Sequence, residues 1–282
     1  MSYGICPLSV VPIRNSSSHK SEMISQLLFG EVVEIIERKG KQWVKVRCQM
    51  DNFVGWVATP QIKPITPSEF AAFQQKYAFS LDVMQPIMAN SHFIPITLGG
   101  RLPNFDGIRF SLGEDTFTFS GQAVFPEDIK PSAEFIIKIA KRFLNAPYLW
   151  GGRSPFGIDS DGLVQLVFSI GGILLPREVA QQVHMGHLVD FVEEALPGDL
   201  AFFENRNGKI THSGIILPDQ RVIHAYGKVR IDRIDHFGIF NEEQAVYTHK
   251  LRVAKRILPK QLRPLSNETE IKTVKNQQVE LF

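Results

Sequence analysis

NAPYLWGGRSPFGIDSDGLVQLVF, residues 145–168, sets a glycine-rich turn directly before an almost wholly apolar segment. That segment reads as a helix from about Asp161 to Ile170, ended by Gly171-Gly172. A helix apolar on all sides is a buried one. Its first turn carries unpaired backbone N–H groups and the positive end of the helix dipole. Ser160 therefore sits where negative charge is favoured, on a nucleophile or on a tetrahedral oxyanion. The simpler use of Ser160 or Asp161 is to cap the helix.

Upstream, SAEFIIKIAKRFL (132–144) reads as an amphipathic helix capped by Ser132 and stopped by Pro147. Downstream lie strand-like segments at 198–204, 212–218, 221–226 and 228–234. Helices followed by an antiparallel sheet make an α+β layout. His212 begins one strand and His224 lies near the end of the next, so antiparallel pairing can bring the two imidazoles together. A base oriented by a second group, facing a helix-borne hydroxyl, is triad logic.

Before this region, EVVEII (31–36), WVKVRC (43–48) and FVGWVA (53–58) are short alternating strands separated by turns, as in a small antiparallel barrel. Trp43 and Trp56 are expected as barrel core. A second barrel of similar style is expected from about Asp82 to Phe125. The domains are thus placed at 1–64, 65–127 and 128–261, with a polar tail at 262–282. The chain has 282 residues and carries 31 Lys plus Arg against 29 Asp plus Glu, a balance that offers no footprint for nucleic acid. With no signal-like start and no apolar run able to cross a bilayer, the expectation is a cytoplasmic protein without a membrane partner. Cys6 and Cys48 are too few for a disulfide framework or a zinc site, and they are expected as buried thiols. No cofactor or metal is expected, and the oligomeric state is open.

The motifs resemble those of NlpC/P60 cysteine peptidases with N-terminal SH3b domains. They are Tyr148, Trp150-Gly151-Gly152, Gly157-Ile158-Asp159-Ser160-Asp161-Gly162, Gly198-Asp199-Leu200-Ala201-Phe202-Phe203, His212-Ser213-Gly214-Ile215 and Val222-Ile223-His224. Trp43–Val46 and Gly55–Val57 resemble the SH3b signatures. The resemblance implies a papain-like domain behind two SH3-like barrels. It implies a murein peptide as substrate, cut between D-glutamate's γ-carboxyl and a diamino acid. Ser160 would be nucleophile, His212 general base and His224 its orienter, with Tyr148 assisting at the oxyanion.

In that resemblance Ser160 replaces the nucleophilic cysteine, and a site tuned for a thiolate serves a hydroxyl poorly. Asp161 replaces a serine. Glu178 and Val179, after Arg177, replace an aspartate and a small hydroxyl residue where the substrate's amine is held. Phe53 stands near a place often held by a substrate-reaching tyrosine. Ser213 and Tyr226 are further departures, and both are expected at the substrate together with Trp150, Asp161 and Arg177. The readings are a murein-peptide hydrolase of low activity, a cleft re-tooled by evolution or design for small apolar esters, and an inactive binder of peptidoglycan fragments.

Overall fold

The computed structural model describes residues 2–259, so the expected tail at 262–282 lies outside the described residues. Seven strands build the first unit: β1 (Ser2–Ile5), β2 (Val10–Arg14), β3 (Met23–Leu28), β4 (Val32–Lys39), β5 (Trp43–Cys48), β6 (Val54–Ala58) and β7 (Lys63–Ile65). They pair in the order β3-β2-β6-β5-β4-β1-β7, an SH3-like barrel. Alternation aims Val11, Ile13, Val33, Val44, Val46 and Val57 into its core. Trp43 is buried and Trp56 half-buried, the latter under the Lys45 ammonium at 5.8 Å. Cys6 and Cys48 are free, buried thiols.

The helix α1 (Pro67–Gln75) follows. Thr66 and Glu69 form a reciprocal capping box around Pro67, a complete helix start. The second unit consists of β8 (Tyr77–Ser80), β9 (Met84–Met88), β10 (Phe93–Thr97), β11 (Arg101–Pro103), β12 (Arg109–Leu112), β13 (Asp115–Thr118) and β14 (Ala123–Val124). They form a four-stranded sheet, β10-β9-β13-β12, and a three-stranded one, β11-β8-β14. Its phenylalanine-rich core is continuous with Ile5, Phe29 and Val32 of the first barrel.

In the third unit, Ser132 caps α2 (Ala133–Lys141) through the amide of Phe135. A short hairpin, β15 (Arg153–Ser154) with β16 (Gly157–Ile158), leads into α3 (Ser160–Ile170). A single turn, α4 (Val179–Gln182), precedes the sheet. Its strands are β17 (His187–Val189), β18 (Leu200–Glu204), β19 (Ile210–Leu217), β20 (Arg221–Tyr226), β21 (Lys228–Ile234), β22 (Gly238–Asn241) and β23 (Val246–Arg256). Their order is β17-β23-β18-β19-β20-β21-β22, with β22 also pairing β23. The sheet therefore closes on itself. Helices α2 and α3 pack on one face, against Ile215, Leu217 and Ile223. The other face holds Phe203, Ile216 and Val222 in a second core. Among the described residues no helix is long and apolar enough to cross a membrane.

The first barrel is clasped to the third unit by buried polar contacts. Arg153 reaches across to Glu31 with two guanidinium bonds of 3.0 and 3.1 Å, and its Nη1 also donates to the Gln26 carbonyl at 2.6 Å. Burial alone would raise the Glu31 carboxyl, but the guanidiniums of Arg153 and Arg101 more than offset this and hold it below its usual range. Gly151 packs on the barrel in left-handed geometry at φ +75°, and a Cβ there would lie 2.4 Å from the Met23 carbonyl oxygen. A side chain at Gly151 would thus push barrel and turn apart.

Removing one member of a buried ion pair strands the other charge, which costs about 3–5 kcal/mol. Glu31→Ala is therefore expected to lower unfolding free energy by about that amount in urea denaturation. A loss no larger than that of Arg47→Ala, which breaks an exposed pair with Glu34, would show that the clasp contributes no stability.

Candidate functional site

A cleft of about 500 Å3 lies between the first barrel and the third unit. The barrel supplies Asn15, Glu22, Ile24 and Phe53, and the third unit supplies Tyr148, Trp150, Ser160, Asp161, Glu178 and Val179. Trp150 ties the two sides by donating its indole N–H to Glu22 at 2.7 Å. Glu22 was not singled out in the sequence because its relevance comes from a contact spanning more than a hundred residues.

Ser160 opens α3, and the cap is Asp159 rather than Ser160 or Asp161. The Asp159 carboxylate accepts from the amide of Gly162 at 2.7 Å, from the amide of Gly151 at 2.8 Å and from Arg177 at 2.7 Å. Arg177 then donates to Ser25 of the barrel at 3.1 Å. One carboxylate thus fixes the helix start, the Trp-Gly-Gly turn and the segment after the helix. The first-turn amides of Ser160 and Asp161 have no partner within the helix and remain available to an anion.

The Ser160 hydroxyl donates to Asp161 Oδ1 at 2.8 Å, and the other Asp161 oxygen accepts from the amide of Val179 at 2.9 Å. Burial and the nearby Asp159 charge push the Asp161 carboxyl up to about 6. Burial, with the charges of Asp159 and Asp161, raises the Tyr148 phenol, which stays a neutral donor at the cleft wall. Among the described residues no hydrogen bond joins Ser160 to His212.

The histidines form a group of their own. His212 on β19 and His224 on β20 face the same side of the sheet, with His212 Nε2 2.9 Å from His224 Nδ1. His224 Nε2 lies 2.9 Å from Asp232, which is also held by Arg230 at 2.6 Å. Burial keeps both imidazoles below their usual range, hence neutral near pH 7. Proton placement then follows. A carboxylate can only accept, so His224 carries its proton on Nε2, its Nδ1 accepts from His212 Nε2–H, and His212 keeps a lone pair on Nδ1. A β-bulge inserts Thr211 between the pairs Phe203↔His212 and Glu204↔Ile210, and Ile210 and Thr211 line the cleft just before His212.

Ser213, expected at the substrate, is wholly buried on the face toward α3 and lies outside the cleft. The period-2 alternation of β19 requires this once His212 faces the other way. Tyr226, also expected at the substrate, packs edge-on to His249 with ring centroids 5.0 Å apart. His249 stacks on His212 at 4.1 Å, and it was missed because no strand was read beyond residue 234. The alternation in VYTHKLRVAKR was the available signal.

Residues 145–248 match the NlpC/P60 family, and residues 13–62 match the bacterial dipeptidyl-peptidase Sh3 domain. The chain is 30% identical over 227 residues to the gamma-D-glutamyl-L-lysine dipeptidyl-peptidase of Bacillus subtilis, which covers 71% of each chain. It is 27% identical over 240 residues to a protein of the same name from Bacillus cereus, covering 74% of this chain and 68% of that one. The crystal structure of an NlpC/P60 family protein from Bacillus cereus shares the fold, with a TM-score of 0.79 at 22% identity over 92% of this chain and 100% of that chain. This chain belongs to the NlpC/P60 family, in the arrangement that sets an SH3-like domain ahead of the peptidase-type domain.

The histidines contribute to the acid limb of stability. Burial holds His249 down to about 4 and keeps His212 and His224 below 6.5 as well, so the unfolded chain takes up protons first as pH falls. Stability falls from about pH 6.5 toward the folded values. Asp161 works oppositely, since its raised folded carboxyl is protonated before the unfolded one. His249→Phe keeps a ring on His212 but cannot charge, so the drop in Tm between about pH 7.5 and pH 5 should be smaller than in the parent. An equal drop in both would contradict this account.

Proposed function

We propose that the chain binds a murein-type peptide in the cleft and acts on it as a slow hydrolase, with Ser160 as nucleophile and His212 as general base. The carrying observation is Ser160 itself, held on the first turn of a buried helix at the floor of a cleft shared with the barrel. The relatives' names concern γ-D-glutamyl-L-lysine peptides, which makes this the inherited substrate class. In this reading Ser160 stands for a cysteine. Its hydroxyl leaves Asp161, passes its proton to His212 Nδ1 as the oxygen attacks the carbonyl, and the amides of the first turn hold the oxyanion. His212 returns the proton to the leaving amine. His224 and Asp232 keep His212 in the required tautomer, and Tyr148 donates from the wall. Glu178, with Glu22 across the cleft, receives the substrate's free amine.

Slow turnover follows from two features. A hydroxyl must be deprotonated during attack where a thiolate is already formed, and here the hydroxyl is donated to Asp161. That same bond favours the second reading, a binder of peptidoglycan fragments without turnover.

The two readings separate on γ-D-glutamyl-diamino acid peptides and p-nitrophenyl esters, assayed with the parent, Ser160→Ala and Ser160→Cys. A hydrolase loses ester turnover by about 100-fold or more in Ser160→Ala and gains peptidase activity in Ser160→Cys. If Ser160→Ala matches the parent on both substrates, Ser160 is no nucleophile. Acetylating the peptide's amino terminus should weaken binding about 10-fold or more, the loss of a charge-assisted hydrogen bond, as measured by calorimetry.

A further inference from the structure

Three strands bring three histidines together: His212 on β19, His224 on β20 and His249 on β23. One ring nitrogen of each lies within 4.8 Å of the others. We propose that this cluster is a zinc site whose ligands are His212 Nε2, His224 Nδ1 and His249 Nε2.

The surrounding hydrogen bonds select those atoms. Asp232 holds the proton of His224 on Nε2, which leaves Nδ1 as a lone pair aimed at His212. Thr248 donates its hydroxyl to the Ile239 carbonyl, so its oxygen accepts from His249 Nδ1 at 2.8 Å and the lone pair of His249 falls on Nε2. Two of the three rings are therefore already in the tautomer a metal requires, each fixed by an outer partner as metal-ligating histidines are. Only His212 must move its proton, from Nε2 to Nδ1.

Zinc suits the donor set: three neutral imidazoles, with a fourth position left to water. A tetrahedral ion at about 2.0–2.1 Å from each nitrogen spaces its ligands about 3.3 Å apart. His212 and His224 already stand at 2.9 Å. His249 supplies the remaining adjustment. It is half-buried, and it must tilt out of its stack on His212, where the rings lie 24° from parallel. The cluster escaped the sequence because its members span 38 residues on strands that are not all adjacent in sequence, outside any short ligand spacing.

Occupancy has a chemical consequence, which rests on the proposed function. With zinc on Nε2, His212 carries its proton on Nδ1, the nitrogen that would take the proton of Ser160. Zinc then switches hydrolysis off.

The test uses the chelator-treated full chain, titrated with Zn2+ by calorimetry and with Co2+ by visible absorption. The expected result is one equivalent bound, with the absorption of tetrahedral cobalt. His249→Phe keeps the ring but removes a ligand and should weaken that equivalent about 10-fold or more, while Asp232→Asn should weaken it about 10–100-fold through the outer partner. Circular dichroism checks that both variants are folded. His184→Ala and His187→Ala, which alter surface histidines, should change nothing. Equal binding by the parent and His249→Phe, octahedral cobalt, or no bound equivalent would each overturn the site. Full hydrolysis with zinc bound would leave the site standing and remove His212 as the base.

Discussion

The Asp159 carboxylate is the interaction on which the rest of the site depends. It caps α3, holds the amide of Gly151 and pairs with Arg177, whose guanidinium reaches Ser25 of the barrel. Each of these partners belongs to a different segment, and each would drift without a shared acceptor. Because the carboxylate sits at the positive end of the helix dipole and carries a buried cation, its charge is compensated from both sides. The consequence is a Ser160 position defined by the backbone on one side and by another domain on the other.

The Arg153–Glu31 pair extends the same logic. A buried ion pair adds little net stability over an apolar contact, but it tolerates only one geometry. Here that geometry joins the hairpin before α3 to the barrel, with Gln26 satisfying the amide of Arg153 at 2.7 Å. The barrel therefore serves as one wall of the cleft, contributing Glu22 and Phe53. The shape of the cleft and domain docking are inseparable in such an arrangement, since displacing the barrel removes a wall of the cleft.

Among the described residues, no hydrogen bond joins the two polar systems of the third unit. On the helix side, Ser160 and Asp161 form a closed pair. On the sheet side, His212, His224 and Asp232 form a chain whose free end is His212 Nδ1. The bulge at Thr211 brings the end of β19 to the cleft, and the shielding of His212 by His249 on its other flank keeps that imidazole neutral. His212 itself is buried beside the cleft rather than lining it.

By itself the sequence determined the parts whose physics is local. The period-2 strands around Trp43 and Gly55, the Ser132 cap, the apolar run of α3 and the antiparallel neighbours bearing His212 and His224 all follow from patterns within a few residues. The capping box at Thr66 was equally local and went unread. Only the tertiary structure decided which acceptor caps α3, because Asp159, Ser160 and Asp161 are all competent caps and the choice is made by Arg177 and Gly151. It likewise buried Ser213, set Glu22 opposite Glu178, and brought His249 from β23 onto His212. These are pairings between distant strands and domains, fixed by sheet closure and burial, and no spacing along the chain encodes them.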